Sequence, residues 1–159
     1  EVLGFLEVEL ETRSEKVDIV REYALKSLQT KIDPSLMQQV MLNILHNAVY
    51  AMRNTEGKLK VLLVLKDKVS PAAGLDMKEY PVGERYVELL VSDNGMGMSD
   101  EVQNKIFNPF FTTRDDGTGL GLAIAKKMIQ EHGGTIIVSS TQGTGTDIAI
   151  RLPFIAQGR

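Results

Sequence analysis

Three short polar blocks, set in a fixed order among apolar helices and strands, constrain this chain more than anything else in it. Asn43 and Asn47 sit in an apolar helical stretch, Asp93-Asn94-Gly95-Met96-Gly97 follows an alternating strand, and Gly117-Thr118-Gly119-Leu120-Gly121-Leu122 opens another helix. Glycines let backbone amides approach phosphate, amide oxygens suit a hard cation, and a carboxylate at a strand's end can accept from a base edge. Taken together, the blocks imply a nucleotide pocket.

The rest of the chain gives these blocks a setting. Residues 1 to 14 space Val2, Leu3, Phe5, Leu6 and Leu10 as a short amphipathic helix, and Val17 to Tyr23 reads as a strand. Asp33 and Pro34 predict a helix start, by a capping carboxylate and a proline that needs no partner in the first turn; the helix should run to about Met52. Lys58 to Lys66 and Tyr86 to Ser92 read as strands joined by a long hairpin loop over 67–85. A short helix near Ser99 to Phe107, a helix from about Gly119 to Glu131 and two closing strands, Thr135 to Ser140 and Thr146 to Leu152, complete the order. Helices and strands do not alternate strictly. That predicts an α+β chain, a two-layer α/β sandwich with one mixed sheet covered on one face by helices, rather than a doubly wound parallel sheet.

Composition narrows the function classes. At 159 residues with 43% hydrophobic content, one domain over 1–159 can bury a sizeable core. No cysteine is present, which removes thiolate metal sites and thiol catalysis and suits a reducing, cytoplasmic setting. A net charge of -3 provides no basic field, so no nucleic-acid partner is expected. No apolar run reaches the roughly 18 residues of a membrane span, so no membrane contact is expected of this domain. The start at Glu1 rather than methionine points to a piece of a longer polypeptide, and that expectation is compatible with a membrane-anchored parent.

Each block alone has an ordinary explanation. Gln39, Asn43 and Asn47 could be a solvated helix face, Asp-Asn-Gly is common turn chemistry, and glycines punctuate loops. The glycine stretch also misses two familiar patterns: no Gly-Lys-Ser/Thr follows it, and Leu122 stands where a dinucleotide fingerprint needs its third glycine.

As an ordered set, the blocks resemble the catalytic ATP-binding domain of two-component sensor histidine kinases, in the GHKL superfamily of Bergerat-fold ATPases that includes gyrase, HSP90 and MutL. Residues 39–48 resemble the N box, 93–98 the first glycine box, 107–113 the F box, 117–122 the second glycine box and 143–146 the last. The short stretch between Thr113 and Gly117 resembles the short-lid branch of nitrogen-regulation kinases. The resemblance implies ATP and Mg²⁺ as cofactors, with Asp93 on the adenine amine, Asn43 and Asn47 on Mg²⁺ and phosphates, Asn47 as the metal ligand, and Met98 and Thr146 near the base. It extends the nucleotide-contacting set to Tyr50, Gly95, Gly97, Phe107, Thr112, Thr113, Gly117, Thr118, Gly119, Leu120, Gly121 and Leu122.

Departures from the family pattern are informative. A Lys-Tyr pair often follows the N box, whereas this chain has Tyr50-Ala51; Arg114 is the candidate substitute for the missing charge. Ile148 replaces a phenylalanine after the last box. Hydrolytic relatives carry a glutamate where this chain has Asn43, and an amide is no general base. The resemblance therefore implies γ-phosphoryl transfer to a protein nucleophile over hydrolysis, with a slow ATPase or a nucleotide-sensing module as alternatives. Residues 98–116 are expected to form a lid that orders over ATP and presents Phe107, Phe110 and Phe111 to a partner helix. Neither His46 nor His132 is expected to accept the phosphoryl group. The family's acceptor histidine lies on a separate dimerising helical hairpin, which then passes the group to an aspartate of a response regulator; without that hairpin the domain should be a monomer.

Overall fold

The computed structural model describes residues 17–23, 32–53, 56–66 and 86–153, with 61–66 described by backbone. The helix expected over 1–14 and the loop expected over 67–85 lie outside the described residues. Eight elements follow in order: β1 (Val17–Tyr23), α1 (Pro34–Ala51), β2 (Gly57–Lys66), β3 (Tyr86–Asp93), α2 (Asp100–Gln103), α3 (Gly121–Glu131), β4 (Thr135–Thr141) and β5 (Gly145–Pro153). Asp33 starts α1 as its sequence predicts, its Oδ1 accepting from the amides of Ser35 at 2.8 Å and Leu36 at 3.3 Å, with Pro34 in the first turn.

The strands form one sheet in the order β1-β2-β3-β5-β4, with β1 and β2 parallel and the other pairs antiparallel. Parallel neighbours need a crossover, and α1 lies within the one that links β1 to β2. Alternation along β3 and β5 sends Leu89, Val91, Ile148 and Ile150 to the same face, where Val91 pairs with Ile148 and Leu89 with Ile150. Onto them pack Ile44 and Leu45 of α1 and Ala125 and Ile129 of α3, all essentially sealed from solvent. Each of the isoleucine and leucine side chains contributes roughly 1.5 to 3 kcal/mol. On the opposite face, Arg151 Nε donates to the buried carboxylate of Glu88 at 2.8 Å.

Two helix boundaries differ from the sequence reading. The helix expected from Ser99 to Phe107 is a single turn, capped by Ser99, after which Lys105 and Asn108 continue in short-range turns before Pro109. The glycine helix starts at Gly121 rather than Gly119, because Gly119 adopts a left-handed φ of 69° and packs its backbone against Phe110.

His132 ties the two main helices together. Its Nδ1 donates to the Met128 carbonyl at 2.7 Å, and its Nε2 accepts from the Asp33 amide at 3.2 Å, linking the C-terminus of α3 to the cap of α1. His132→Ala is expected to cost about 1 to 2 kcal/mol in urea unfolding, the net worth of two hydrogen bonds. An unchanged midpoint would show the tie to be idle.

Candidate nucleotide site

α1 and α3 meet along an open cleft of about 500 Å³, closed at one end by the tip of β3 and flanked by the loop over 98–119. That volume is ordinary for a small-molecule pocket. Asn43, His46, Asn47 and Tyr50 of α1 enter it at helical spacing, while Val40, Ile44 and Leu45 face the core.

Asn43 faces α3 closely. Its Nδ2 donates to the Gly121 carbonyl at 3.1 Å, and a Cβ built on Gly121 would lie 3.4 Å from its side chain. Asn47 presents its Oδ1 to the cleft, where Arg114 Nη1 approaches to 3.4 Å, the long end of hydrogen-bond range.

Asp93 stands at the end of β3, paired in register with Thr146. Its Oδ1 accepts from the Gly95 amide at 2.8 Å. Burial pushes its carboxyl above the ordinary carboxylate value, partly offset by hydrogen bonds from the backbones of Gly95 and Thr146. The turn after it is fixed from three sides. Asn94 Oδ1 accepts from Lys58 N–H at 2.7 Å, Met96 N–H donates to the Ala51 carbonyl at 3.0 Å, and Met98 N–H donates to Ser140 Oγ at 2.8 Å. Ser140 Oγ in turn shares a hydrogen bond with Thr146 Oγ1 at 2.9 Å. Gly97 has a φ of 61°, and a Cβ there would strike the Thr141 carbonyl.

The glycine stretch leads into α3 without a side-chain cap, Leu120 occupying the cap position. The first-turn amides of α3 therefore have no side-chain acceptor, which is the arrangement that receives anions. Gly117, Thr118, Gly119, Gly121 and Leu122 line the cleft beside them, as do Thr112, Thr113 and Arg114 from the loop and Gly97, Met98 and Thr146 from the far end.

Three expected site residues stand outside the cleft wall. Gly95 packs its Cα against Ala51, where a Cβ would come within 2.6 Å of backbone atoms, so its lack of a side chain serves packing. Phe107 lies beside α3, with Lys126 Nζ 5.0 Å from its ring centroid. Leu120 is the cap position of α3. Conversely, His46, Arg53, Met96, Phe111, Asp116 and Ile148 line the cleft without having been singled out as contacts. The three clustered phenylalanines also part company: Phe111 enters the cleft, while Phe110 is 75% exposed at a φ of 67°.

Comparison with known proteins now bears on this geometry. Residues 32–156 match the family described as histidine kinase-, DNA gyrase B-, and HSP90-like ATPase. The chain belongs to that family. Within the histidine kinase-like ATPases, it is 34% identical to the signal transduction histidine-protein kinase AtoS of Escherichia coli over 143 residues, 90% of this chain and 21% of that protein. It is also 34% identical to the sensor histidine kinase ZraS of Salmonella typhimurium over 155 residues, 98% of this chain and 29% of that protein. The chain thus spans less than a third of the length of these relatives. Among solved structures, the catalytic domain of the histidine kinase ThkA superposes with a TM-score of 0.73 at 29% identity, covering 96% of this chain and 87% of that one. The mixed five-stranded sheet under helices is this family's ATPase fold, and ATP use follows from membership. Among the described residues no helix is long and apolar enough to cross a membrane.

Proposed function

We propose that this domain binds Mg²⁺ and ATP in the cleft between α1 and α3 and passes the γ-phosphoryl group to a histidine on a helical hairpin of its parent chain, for relay to a response-regulator aspartate. The observation that carries this reading is the convergence of an uncapped helix start, the Asn47 oxygen and the Asp93 carboxylate on one cleft. Asp93 accepts from the adenine amine, with Met98 and Thr146 beside the base. The α3 amides and the neighbouring glycines hold the phosphates.

Asn47 Oδ1 fits Mg²⁺, a hard cation that takes one or two protein oxygens and completes its shell with phosphates and water. Bound there, the ion would neutralise phosphate charge. Asn43 supplies no base: its amide nitrogen is engaged by the Gly121 carbonyl, and it has no proton-accepting role to offer water. Transfer to an incoming nucleophile then rests on positioning and charge stabilisation. An imidazole nitrogen is already nucleophilic near neutral pH, which suits a chain whose cleft holds no base in that position. Both ring nitrogens of His132 are engaged in holding the helices, so it is not that acceptor.

Phe110 offers a contact for the hairpin. Its left-handed backbone is held by its own amide donating to the Gly119 carbonyl at 2.9 Å, and the ring stands in solvent. The isolated domain is then a monomer awaiting its substrate helix.

Labelled ATP, incubated with the domain and a hairpin that carries an acceptor histidine, separates the alternatives. Acid-labile label on the hairpin is the expected result. Free phosphate alone would identify a slow ATPase, and nucleotide binding without either product would identify a sensing module.

A further inference from the structure

Tyr50, on the last turn of α1, shares its ring between two guanidinium groups. Arg53 Cζ lies 4.3 Å from the ring centroid and Arg114 Cζ 4.2 Å. They come from different segments, Arg53 from the turn that ends α1 and Arg114 from the loop before the glycines. Two like charges brought to one ring need an anion nearby. Asp116 supplies it: its Oδ1 lies 3.3 Å from Arg114 Nε and its Oδ2 3.5 Å from Nη2, a two-point fork. The Asp116 carboxyl is held below its usual range by the Arg114 hydrogen bond and charge, and the Arg53 charge adds to the effect. Arg114 Nη1 also reaches Asn47 Oδ1 at 3.4 Å.

The polar contacts of Arg114 are long, and Asp116 is exposed, so solvent weakens the ion pair. All four residues, Tyr50, Arg53, Arg114 and Asp116, line the cleft. The arrangement therefore reproduces the charges of a metal-bound phosphate from the chain's own side chains. A guanidinium lies on the amide oxygen suited to a cation, and a carboxylate lies on the guanidinium suited to a phosphate.

We propose that Arg53 and Arg114, stacked on Tyr50, clamp the terminal phosphate of ATP, and that Asp116 holds the clamp until that phosphate replaces its carboxylate. The proposal rests on the assignment of the cleft to Mg²⁺ and ATP. A terminal phosphate has more charge than one carboxylate and three peripheral oxygens for planar guanidinium donors, so it wins the exchange. Arg114 then leaves Asn47 Oδ1 free for the cation. ADP lacks the terminal phosphate and leaves Asp116 in place. The two arginines thus bind the terminal phosphate, Tyr50 and Asp116 position them, and the group lets the domain tell ATP from ADP.

Calorimetry of the domain with Mg²⁺ and either ADP or a non-hydrolysable ATP analogue tests this. Arg53→Gln and Arg114→Gln are each expected to weaken the ATP analogue about tenfold or more and ADP by less than about twofold, as loss of a charge-assisted contact to one phosphate requires. Asp116→Asn should tighten the analogue by about threefold or more and leave ADP unchanged, because the internal competitor is gone. Tyr50→Phe should retain the preference for the analogue, and Tyr50→Leu should lose it. Unchanged ADP affinity reports that each variant is folded. Arginine variants that weaken both nucleotides by the same factor, or an Asp116→Asn that weakens the analogue, overturn the clamp while leaving the cleft assignment standing. A wild-type domain that binds neither nucleotide overturns the cleft assignment and the clamp with it.

Discussion

Asp93→Asn is expected to weaken ATP binding by about tenfold or more in calorimetry, since a hydrogen bond to a charged acceptor is worth roughly 1.5 to 3 kcal/mol. The substitution keeps the shape of the side chain and one oxygen for the Gly95 amide, so the turn survives. What it removes is the charge. It also introduces an amide donor, which blunts the choice of adenine, with an amine on its edge, over guanine, with a carbonyl there. The affinity of the wild-type domain should depend on pH in the same sense. Only the ionised carboxylate accepts from the amine without an opposing O–H, and burial raises the Asp93 pKa, so protonation competes with binding at a higher pH than for an exposed aspartate. Affinity should rise as pH climbs toward the raised pKa of the nucleotide-free domain and level off above it.

The stability sign runs the other way. A carboxyl whose folded pKa is raised binds its proton more tightly in the native state than in the unfolded chain, so native stability falls as pH climbs through the interval between the two values. At neutral pH the ionised Asp93 is a cost carried by the fold. Asp93→Asn removes it, and the nucleotide-free variant should melt no lower than wild type while binding ATP far more weakly. An affinity within about twofold of wild type would refute the base-binding assignment. A lower melting temperature would reassign Asp93 to holding the turn.

Local chemistry made much of this fold legible in the sequence. Asp33 and Pro34 mark the start of α1 because capping is settled within one turn, and the alternation of Val87, Leu89 and Val91 marks β3 because every second side chain of a strand faces the helix layer. The cleft residues of α1 were visible for the same reason, as polar positions at helical spacing on an apolar helix. The parallel pairing of β1 with β2 was not, since register between segments separated by a crossover is decided by packing.

Glycines show where local reading stops. Gly95 and Gly97 belong to one motif and look alike in sequence, yet Gly97 lines the cleft and Gly95 presses on the end of α1. A missing side chain says that something approaches closely; it does not say whether that is a ligand or the protein's own backbone. Arg53 was invisible for a different reason. An arginine beyond a helix end is ordinary surface chemistry, and its meaning comes from Tyr50 and from a loop more than sixty residues later.

Gly145 carries the largest stability effect expected of a small substitution. It opens β5 with a φ of 139°, a region closed to residues with a Cβ, and a Cβ there would strike the Asp93 carbonyl and lie 3.0 Å from Asn94 Cα. Neither neighbour can give way cheaply. Asn94 is fixed through Lys58 and Glu56, and Asp93 is paired with Thr146 in the sheet. Gly145→Ala should therefore cost about 2 to 3 kcal/mol in denaturant unfolding, backbone strain and displaced backbone together. Because relief has to move Asp93, ATP affinity should fall with stability. Gly143 is the matched control: its φ is also positive, at 80°, but a Cβ there meets nothing within 4 Å. Gly143→Ala should cost only the left-handed backbone penalty, about 1 to 2 kcal/mol, with ATP affinity unchanged. Equal losses of stability and equal affinities in the two variants would show that the approach of β5 to the strand tip does not position Asp93 for ATP binding.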